Sequence, residues 1–276
     1  TVDHGAAAVA PTITADAGRR FTGWDVSFAN VTGDLTVTAQ VEPITHRVVF
    51  YPGEHGTLAD ADAVGKVAVT VNHGDSVTAP AVTPDAGHTV AGWEPAVPAA
   101  ITADLETTAR YATDTFTITV TSGENGVVDP ADSATVSYGE DLVCTISPDA
   151  NHHVADVLVD GTSVGPVGEY IFRNVTADHS VEAAFASDTY RVRFDLAGRG
   201  ERTGGGERLQ TIEHGSAATA PKLDVETGWT FTGWDTAFDA VTADLVVTAQ
   251  YAKLAYTLTF HPGPFGSLAG TDAGGD

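Results

Sequence analysis

The sequence has 276 residues and a net charge of −24 at pH 7, from 37 acidic and 13 basic side chains. Nucleic acids and anionic membranes are bound through basic patches, so this acidity excludes both as expected partners. No apolar stretch approaches the roughly 20 residues of a transmembrane helix, and we expect no membrane insertion of this segment.

An internal repeat is the most informative feature of the sequence. A Val/Ile-Thr-x-Asp marker recurs with its aspartate at positions 34, 104, 178 and 244, in steps of 70, 74 and 66 residues. A Gly-Trp pair precedes three of the markers, at Gly23-Trp24, Gly92-Trp93 and Gly233-Trp234. Tandem repetition sets the architecture before any residue is given a role, and it is typical of stalks and arrays.

In chain order, each copy predicts the same series of elements. An opening strand with alternating apolar residues comes first, at residues 47–50, 117–120, 191–194 and 257–260. A Gly-rich turn and a second strand follow, and lead to a tight turn at His73-Gly74, Tyr138-Gly139 or His214-Gly215, with His4-Gly5 as its counterpart near the start. Period-2 alternation of this kind is typical of half-buried strands.

The second half of each copy begins with a segment that contains proline, as at Pro80 and Pro221. A strand that ends in Gly-Trp follows, and the Val-Thr-x-Asp-Leu marker then begins a closing strand. Helical periodicity is weak throughout, so any helix is restricted to a short turn after the prolines. We therefore predict a mostly β chain.

These elements divide the chain into repeats. Complete repeats are predicted at 46–112, 115–186 and 190–252, residues 1–41 form the C-terminal part of a copy, and residues 256–276 the opening strand of another. Only a few residues connect one repeat to the next, so we expect an elongated, semi-rigid array. Because both ends fall inside a repeat, we expect an excerpt of a longer protein whose partial repeats fray unless they dock on a neighbour.

With the elements in order, the repeat resembles the internalin-type B-repeat, also called the Listeria–Bacteroides repeat. Repeat 190–252 carries the pattern most fully, through Gly228-Trp229-Thr230-Phe231-Thr232-Gly233-Trp234 and Ala249-Gln250-Tyr251. Repeat 115–186 lacks Gly-Trp and is similar to the divergent form of the same repeat, through Tyr170-Ile171-Phe172-Arg173-Asn174-Val175-Thr176. The resemblance implies small β-grasp-like units, α+β at the level of one unit, in an extracellular, wall-attached bacterial protein. It implies no catalytic residues.

The recurring tryptophans have two interpretations. Trp24, Trp93 and Trp234 occupy the same place in each copy, as the anchor of a shared core would. In that interpretation, the preceding glycine leaves room for the indole. The alternative is an exposed platform that stacks on a sugar.

The marker aspartates also have two interpretations. Asp34, Asp104, Asp178 and Asp244 are expected to accept backbone N–H bonds at a strand entrance. Calcium binding is the alternative, but it needs clustered oxygen ligands, and only Asp60-Ala61-Asp62 approaches such a cluster.

No residue predicts a metal, cofactor or catalytic site. Tyr138 takes the place of the turn histidines, which fits an aromatic turn residue better than a zinc ligand, and adjacent His152 and His153 would point apart on a strand. Cys144 lies in an apolar run and predicts a small buried hydrophobe. The sequence contains none of the common hydrolase, metalloprotease or nucleotide-binding motifs.

These features leave three classes of function to compare: a spacer, a binding module and an enzyme. The repeat, the short linkers and the missing site favour a spacer or stalk that holds an adhesive or catalytic head away from the cell wall. The alternative is a binding module that contacts a host protein or glycan through loops or sheet edges. An enzyme would need a polar cluster in a pocket, which the sequence does not indicate. We expect a monomer whose partners are its own neighbouring repeats.

Overall fold

The computed structural model describes residues 1–267 and 269–270, and these residues form strands and turns with no helix. By backbone contacts the chain divides into two compact units. The first contains Thr1–Val120, Asp132–Cys144 and Tyr170–Ser180. The second contains Thr121–Ala131, Thr145–Glu169 and the described residues from Val181 onward.

The N-terminal partial repeat forms a two-stranded antiparallel sheet of β1 (Arg19–Trp24) and β2 (Ala39–Pro43). Its closing strand β2 has only five residues, whereas the sequence alternation predicts a strand from Thr36. The equivalent residues of repeats 46–112 and 190–252 pair with an opening strand, and no described strand pairs with residues 35–38.

Repeat 46–112 contains six strands. They are β3 (Thr45–Tyr51), β4 (Gly56–Leu58), β5 (Val67–Asn72), β6 (Val82–Pro84), β7 (His88–Glu94) and β8 (Leu105–Thr113). The main sheet has the order β5-β3-β8-β7, and β4 pairs with β6 in a small second sheet. Opening strand β3 and closing strand β8 run parallel, with Val48 opposite Leu105 and Phe50 opposite Thr107.

Repeat 115–186 contains eight strands. They are β9 (Thr115–Ser122), β10 (Gly126–Asp129), β11 (Ala134–Ser137), β12 (Leu142–Pro148), β13 (His152–Val159), β14 (Thr162–Ser163), β15 (Glu169–Phe172) and β16 (His179–Ser187). The main sheet has the order β11-β9-β16-β13-β14, and the second sheet has the order β10-β12-β15. Opening strand β9 and closing strand β16 are again neighbours.

Repeat 190–252 repeats the plan of 46–112. Its strands are β17 (Thr189–Asp195), β18 (Gly200–Gly205), β19 (Leu209–Glu213), β20 (Pro221–Val225), β21 (Trp229–Trp234) and β22 (Leu245–Lys253). The main sheet has the order β19-β17-β22-β21, and β18 pairs with β20. β17 and β22 run parallel, with Val192 opposite Leu245.

Each core lies under the opening strand. In repeat 46–112, Val48 and Phe50 are fully buried, and the Trp93 ring meets the Phe50 ring edge-on at a centroid distance of 5.0 Å. In repeat 190–252, Phe194 and Trp234 repeat this arrangement at 5.0 Å. These contacts confirm the tryptophan as a core anchor in both repeats.

The prediction of a mostly β chain of small tandem units is confirmed. The α+β character implied for a single unit is wrong for the described residues, because no helix follows Pro80 or Pro221. Instead, β6 and β20 lie in these segments, and they pair with β4 and β18 that follow the Gly-rich turns. The short segments that follow the prolines thus satisfy their backbone groups by strand pairing.

The glycine of Gly-Trp serves a different purpose from the one predicted. A Cβ on Gly23, Gly92 or Gly233 would meet no atom within 4 Å, so the glycine does not make room for the indole. Each of them lies at a β-bulge with a positive φ, between 132° and 147°. Side chains rarely adopt this backbone conformation, so glycine is required by the bulge that turns the tryptophan toward the core.

Residues 257–260, predicted to form an opening strand, are not in a strand in the structure. No described strand pairs with them, and an isolated strand has no partner for its backbone groups. Positions 268 and 271–276 of the predicted segment 256–276 lie outside the described residues.

The bulge predicts the effect of Gly233→Ala. The substitution should lower the stability of repeat 190–252 by about 1–3 kcal/mol, the usual cost of a strained backbone conformation. Gly33→Ala is the control, because its Cβ would meet no atom within 4 Å and other copies carry Ala103, Ala177 and Ala243 there. It should change stability by less than about 0.5 kcal/mol. Hydrogen exchange in the altered repeat measures the loss of stability in each variant. An equal loss in Gly33→Ala and Gly233→Ala would contradict the explanation that the positive φ at the bulge requires glycine.

Candidate functional site

The described residues contain no cluster of ligands for a metal. Among residues 1–267 and 269–270, no three His, Cys, Asp or Glu side chains are placed to hold an ion. The adjacent histidines have different neighbours: His152 Nε2 lies 3.3 Å from Ser187 Oγ, and His153 Nδ1 lies 3.1 Å from Asp188 Oδ1. No helix of the described part is long and apolar enough to cross a membrane. Cys144 is fully buried, as predicted.

The marker aspartates fasten the opening strand of each complete repeat. Asp104 Oδ1 accepts the N–H of Arg47 at 2.8 Å, Asp178 Oδ1 accepts that of Thr117 at 2.7 Å, and Asp244 Oδ1 accepts that of Arg191 at 2.8 Å. These three bonds confirm the predicted role at a strand entrance. They also connect the first and last strands of a repeat across 53 to 61 residues of sequence.

Asp62, part of the pair considered for calcium, closes a loop. Its Oδ1 accepts the N–H groups of Val64 at 2.9 Å and Lys66 at 3.1 Å. Its own N–H donates to the Lys66 carbonyl at 2.8 Å. The Asp62 carboxylate is therefore bonded to backbone N–H groups of its own loop.

The repeated turns meet at the junctions between repeats, where one linker residue bonds to both sides. Ile44, Asp114 and Asp188 each separate a closing strand from the next opening strand. Each linker N–H donates to a turn carbonyl of the preceding repeat, that of Gly18, Gly87 or Asn151, at 2.8 to 2.9 Å. Each linker carbonyl accepts an N–H from the turn of the following repeat, that of His73, Tyr138 or His214, again at 2.8 to 2.9 Å.

At the first two junctions the following turn packs closely on the preceding turn. A Cβ on Gly18 would lie 3.1 Å from His73 Cδ2, and one on Gly87 would lie 2.1 Å from the Tyr138 ring. These contacts leave no room for a side chain at Gly87. The aromatic residue of the His-Gly or Tyr-Gly turn thus serves the junction, which explains why tyrosine can replace histidine there.

The histidine at this turn has different surroundings in the two related repeats. His73 Nδ1 lies 3.0 Å from His46 Nε2. In repeat 190–252 the place of His46 is taken by Tyr190, whose ring lies 5.9 Å from that of His214. His214 Nδ1 is buried and has no hydrogen-bond partner among the described residues. The change from histidine to tyrosine in the opening strand therefore removes an imidazole partner from the turn.

Sequence reasoning identified the aromatic turn but missed its partner. The donors and acceptors that all three junctions share are backbone groups, which leave no mark on residue type. A usable signal did exist: Gly18, Gly87, Asn151 and Gly228 all have φ between 64° and 87°, where glycine and asparagine are favoured. Three of them follow Asp-Ala, and all four directly precede the strand that pairs with the closing strand.

Gly87→Ala tests the junction, with Gly228→Ala as its matched control. Both glycines have a positive φ, but a Cβ on Gly228 would meet nothing within 4 Å. Both variants carry the backbone cost, and only Gly87→Ala displaces the Tyr138 ring. Hydrogen exchange should therefore show at least tenfold faster exchange of the Asp114 and Tyr138 amides in Gly87→Ala alone. The opposite outcome is that Gly87→Ala speeds exchange of the Asp114 and Tyr138 amides only as much as Gly228→Ala speeds exchange of the Leu254 amide. That result would contradict a packed junction.

A second carboxylate holds the Trp-bearing strand to the closing strand. Asp235 Oδ1 accepts the N–H of Thr248 at 2.7 Å, and the Asp235 N–H donates to the Thr248 carbonyl at 3.0 Å. The hydrogen bond from the Thr248 backbone lowers the pKa of Asp235 below its ordinary value of 3.8. Asp25 and Thr38 form the same pair of bonds in the N-terminal partial repeat.

The pKa shift of Asp235 predicts a dependence of stability on pH. A lowered pKa in the folded state contributes stability above pH 3.8, which is lost as the pH falls through the folded pKa. Asp235→Asn should therefore be less stable than the wild type at pH 7, and the difference should shrink below pH 3.8. Urea unfolding between pH 7 and pH 2 measures this, with Asp239→Asn, an exposed carboxylate, as the control. A difference that persists at the lowest pH would contradict the assignment.

Comparison with known families agrees with the repeat seen in the structure. The sequence model of the divergent InlB B-repeat domain matches residues 46–114 and 116–189, together more than half of the chain. That of the Listeria-Bacteroides repeat domain matches residues 190–253. The match to the divergent form thus includes residues 46–114, although that repeat carries the Gly92-Trp93 pair. No curated protein matches the chain. Repeats of these families are typical of surface proteins, and the chain belongs to the B-repeat family, in its divergent and Listeria–Bacteroides forms.

Proposed function

We propose that this chain is a spacer segment of a bacterial surface protein, which holds a functional head away from the cell wall and resists force. Membership in a family of surface-protein repeats supports a location on the cell surface. In this proposal the segment is extracellular, is not itself an enzyme, and has its own neighbouring repeats as its main partners.

The continuity of strands through the junctions carries the proposal. A closing strand passes into the next opening strand through a single residue, as from β8 through Asp114 to β9 and from β16 through Asp188 to β17. Both backbone groups of that residue are bonded, one to each repeat. A linker so short and fully bonded limits the rotation of one repeat against the next, as a spacer requires.

The placement of the opening and closing strands suits a load-bearing role. They are parallel neighbours in repeats 46–112 and 190–252, so the chain enters the sheet at one end of the pair and leaves it at the other. Tension would then act along the strands, and several ladder bonds would have to break together. The hydrogen bonds from Asp104 and Asp244 to the opening strand add to this ladder.

A tyrosine hydrogen bond at the far end of the strand pair supports the same role. The Tyr111 hydroxyl donates to the Pro52 carbonyl at 2.6 Å, and the Tyr251 hydroxyl donates to the Leu196 carbonyl at 3.1 Å. Each bond joins the closing strand to the turn after the opening strand. Burial raises the pKa of both tyrosines, so their hydroxyls stay neutral and able to donate these bonds.

Small-angle scattering on the 276-residue chain tests the proposal. A single globule of this length should have a radius of gyration of about 19 Å. Repeats that each have a radius of gyration of about 11 Å, arranged in a line, should give the chain a radius of gyration of roughly 30 Å. We expect this larger value. The net charge of −24 adds repulsion that favours separation, so the measurement needs to be made at 0.15 M salt as well as at low salt.

The smaller radius at both salt concentrations would count against the spacer. It would favour the alternative, a binding module in which packed repeats contact a host protein or glycan. Specific, tight binding of such a ligand to one isolated repeat would also contradict a purely mechanical role.

A further inference from the structure

A pair of aromatic rings lies at the start of each complete repeat, between the opening strand and the turn that bonds to the linker. The rings are His46 and His73 in repeat 46–112, Phe116 and Tyr138 in repeat 115–186, and Tyr190 and His214 in repeat 190–252, with centroids 5.2, 6.4 and 5.9 Å apart. In the first of these three pairs, both rings are imidazoles. This pair alone among the three can therefore gain two positive charges as the pH falls from neutral to 5.

The two imidazoles of the first pair share a hydrogen bond. His46 Nε2 lies 3.0 Å from His73 Nδ1, and the His46 side chain is only 13% exposed. The other ring nitrogen of His46, Nδ1, lies 3.7 Å from Asp104 Oδ1. A negative charge on that side favours the tautomer with its proton on Nδ1, so His46 Nε2 accepts the bond and His73 Nδ1 donates it.

The first and the second proton that the pair can bind have opposite effects on this bond. A first proton binds at His73 Nε2, which takes no part in the bond, and the bond to His46 becomes charge-assisted. A second proton must bind at His46 Nε2, the acceptor, so the bond is lost and two cations face each other across 3.0 Å. The pair therefore holds one proton in this arrangement and opposes a second.

The hydrogen-bonded pair lies at the junction between the N-terminal partial repeat and repeat 46–112. The His73 N–H donates to the carbonyl of the linker residue Ile44, and the Ile44 N–H donates to the Gly18 carbonyl, both at 2.8 Å. A Cβ on Gly18 would lie 3.1 Å from His73 Cδ2, so the imidazole packs directly on the preceding turn. Displacement of the His73 ring would therefore disturb the packing and the backbone bonds of this junction together.

The charged groups around the pair do not supply its response to pH. Asp104 faces His46, Arg47 follows His46, Asp75 follows the His73-Gly74 turn, and Asp16 and Arg19 lie beside Gly18 in the sequence. Carboxylates and guanidinium groups ordinarily keep their charge between pH 7.5 and pH 5, whereas imidazoles do not. The Asp104 carboxylate stabilises the first positive charge on the pair, but it provides no acceptor for the bond that the second proton removes.

We propose that the His46–His73 pair is an acid-sensitive contact that loosens the first junction when both imidazoles are protonated. The separated imidazoles of an open junction bind two protons, whereas the closed junction holds one. A difference of one bound proton changes the opening equilibrium about tenfold for each pH unit, so the junction is closed at neutral pH and opens more often as the pH falls. This response belongs to the junction and does not depend on whether the array acts as a spacer.

Amide hydrogen exchange on the whole chain tests the proposal, after correction for the effect of pH on exchange in unfolded peptides. The amides of Ile44 and His73, which form the junction bonds, should exchange at least about fivefold faster at pH 5 than at pH 7.5. The amides of Val48 and Phe50, in the core of the same repeat, should change less than about twofold, because the opening is local. Unchanged exchange at Ile44 and His73, or an equal change at all four amides, would overturn the proposal.

The double variant His46→Phe with His73→Tyr is the matched control. It places the ring pair of the second junction, Phe116 with Tyr138, at the first junction, so two packed rings remain and no imidazole does. Exchange at positions 44 and 73 of this variant should then be the same at pH 5 and pH 7.5 within about twofold. The wild-type response to acid in the double variant would overturn the assignment to the histidine pair.

Nuclear magnetic resonance of the wild-type chain gives a reading that needs no variant. A scalar coupling between His46 Nε2 and His73 Nδ1 should be present at pH 7.5, because one hydrogen bond joins the two nitrogens. The coupling should disappear in acid once both imidazoles are protonated, since neither nitrogen can then accept. Two uncoupled imidazoles at pH 7.5, or a coupling that survives protonation of both rings, would overturn the proposal.

Discussion

The parallel pairing of the opening strand with the closing strand is the contact on which each repeat depends. It joins the two ends of the repeat in one sheet and places Phe50 or Phe194 against a tryptophan from the neighbouring strand. The marker aspartate adds a bond at one end of the pair and the closing-strand tyrosine adds one at the other.

The sequence predicted the parts of this arrangement that depend on side-chain pattern. Alternating residues marked the opening strands, the fixed place of Trp93 and Trp234 marked the core, and a Thr-x-Asp spacing marked the strand entrance. The role of Gly92 was misjudged, because residue type alone does not distinguish a glycine needed for space from one needed for a positive φ. The short β6 was missed because three residues around a proline carry little periodicity.

The junctions were the least predictable part, because backbone groups form them. Asp114 joins two repeats through its N–H and carbonyl, and its carboxylate also accepts a hydrogen bond from the Thr89 hydroxyl at 2.6 Å. Ile44 makes the same two backbone bonds without a carboxylate. At the first two junctions, the turn glycine and the aromatic residue that covers it are the shared features that depend on residue type. A search for a glycine or asparagine that follows Asp-Ala directly before the strand beside the closing strand would have identified this site.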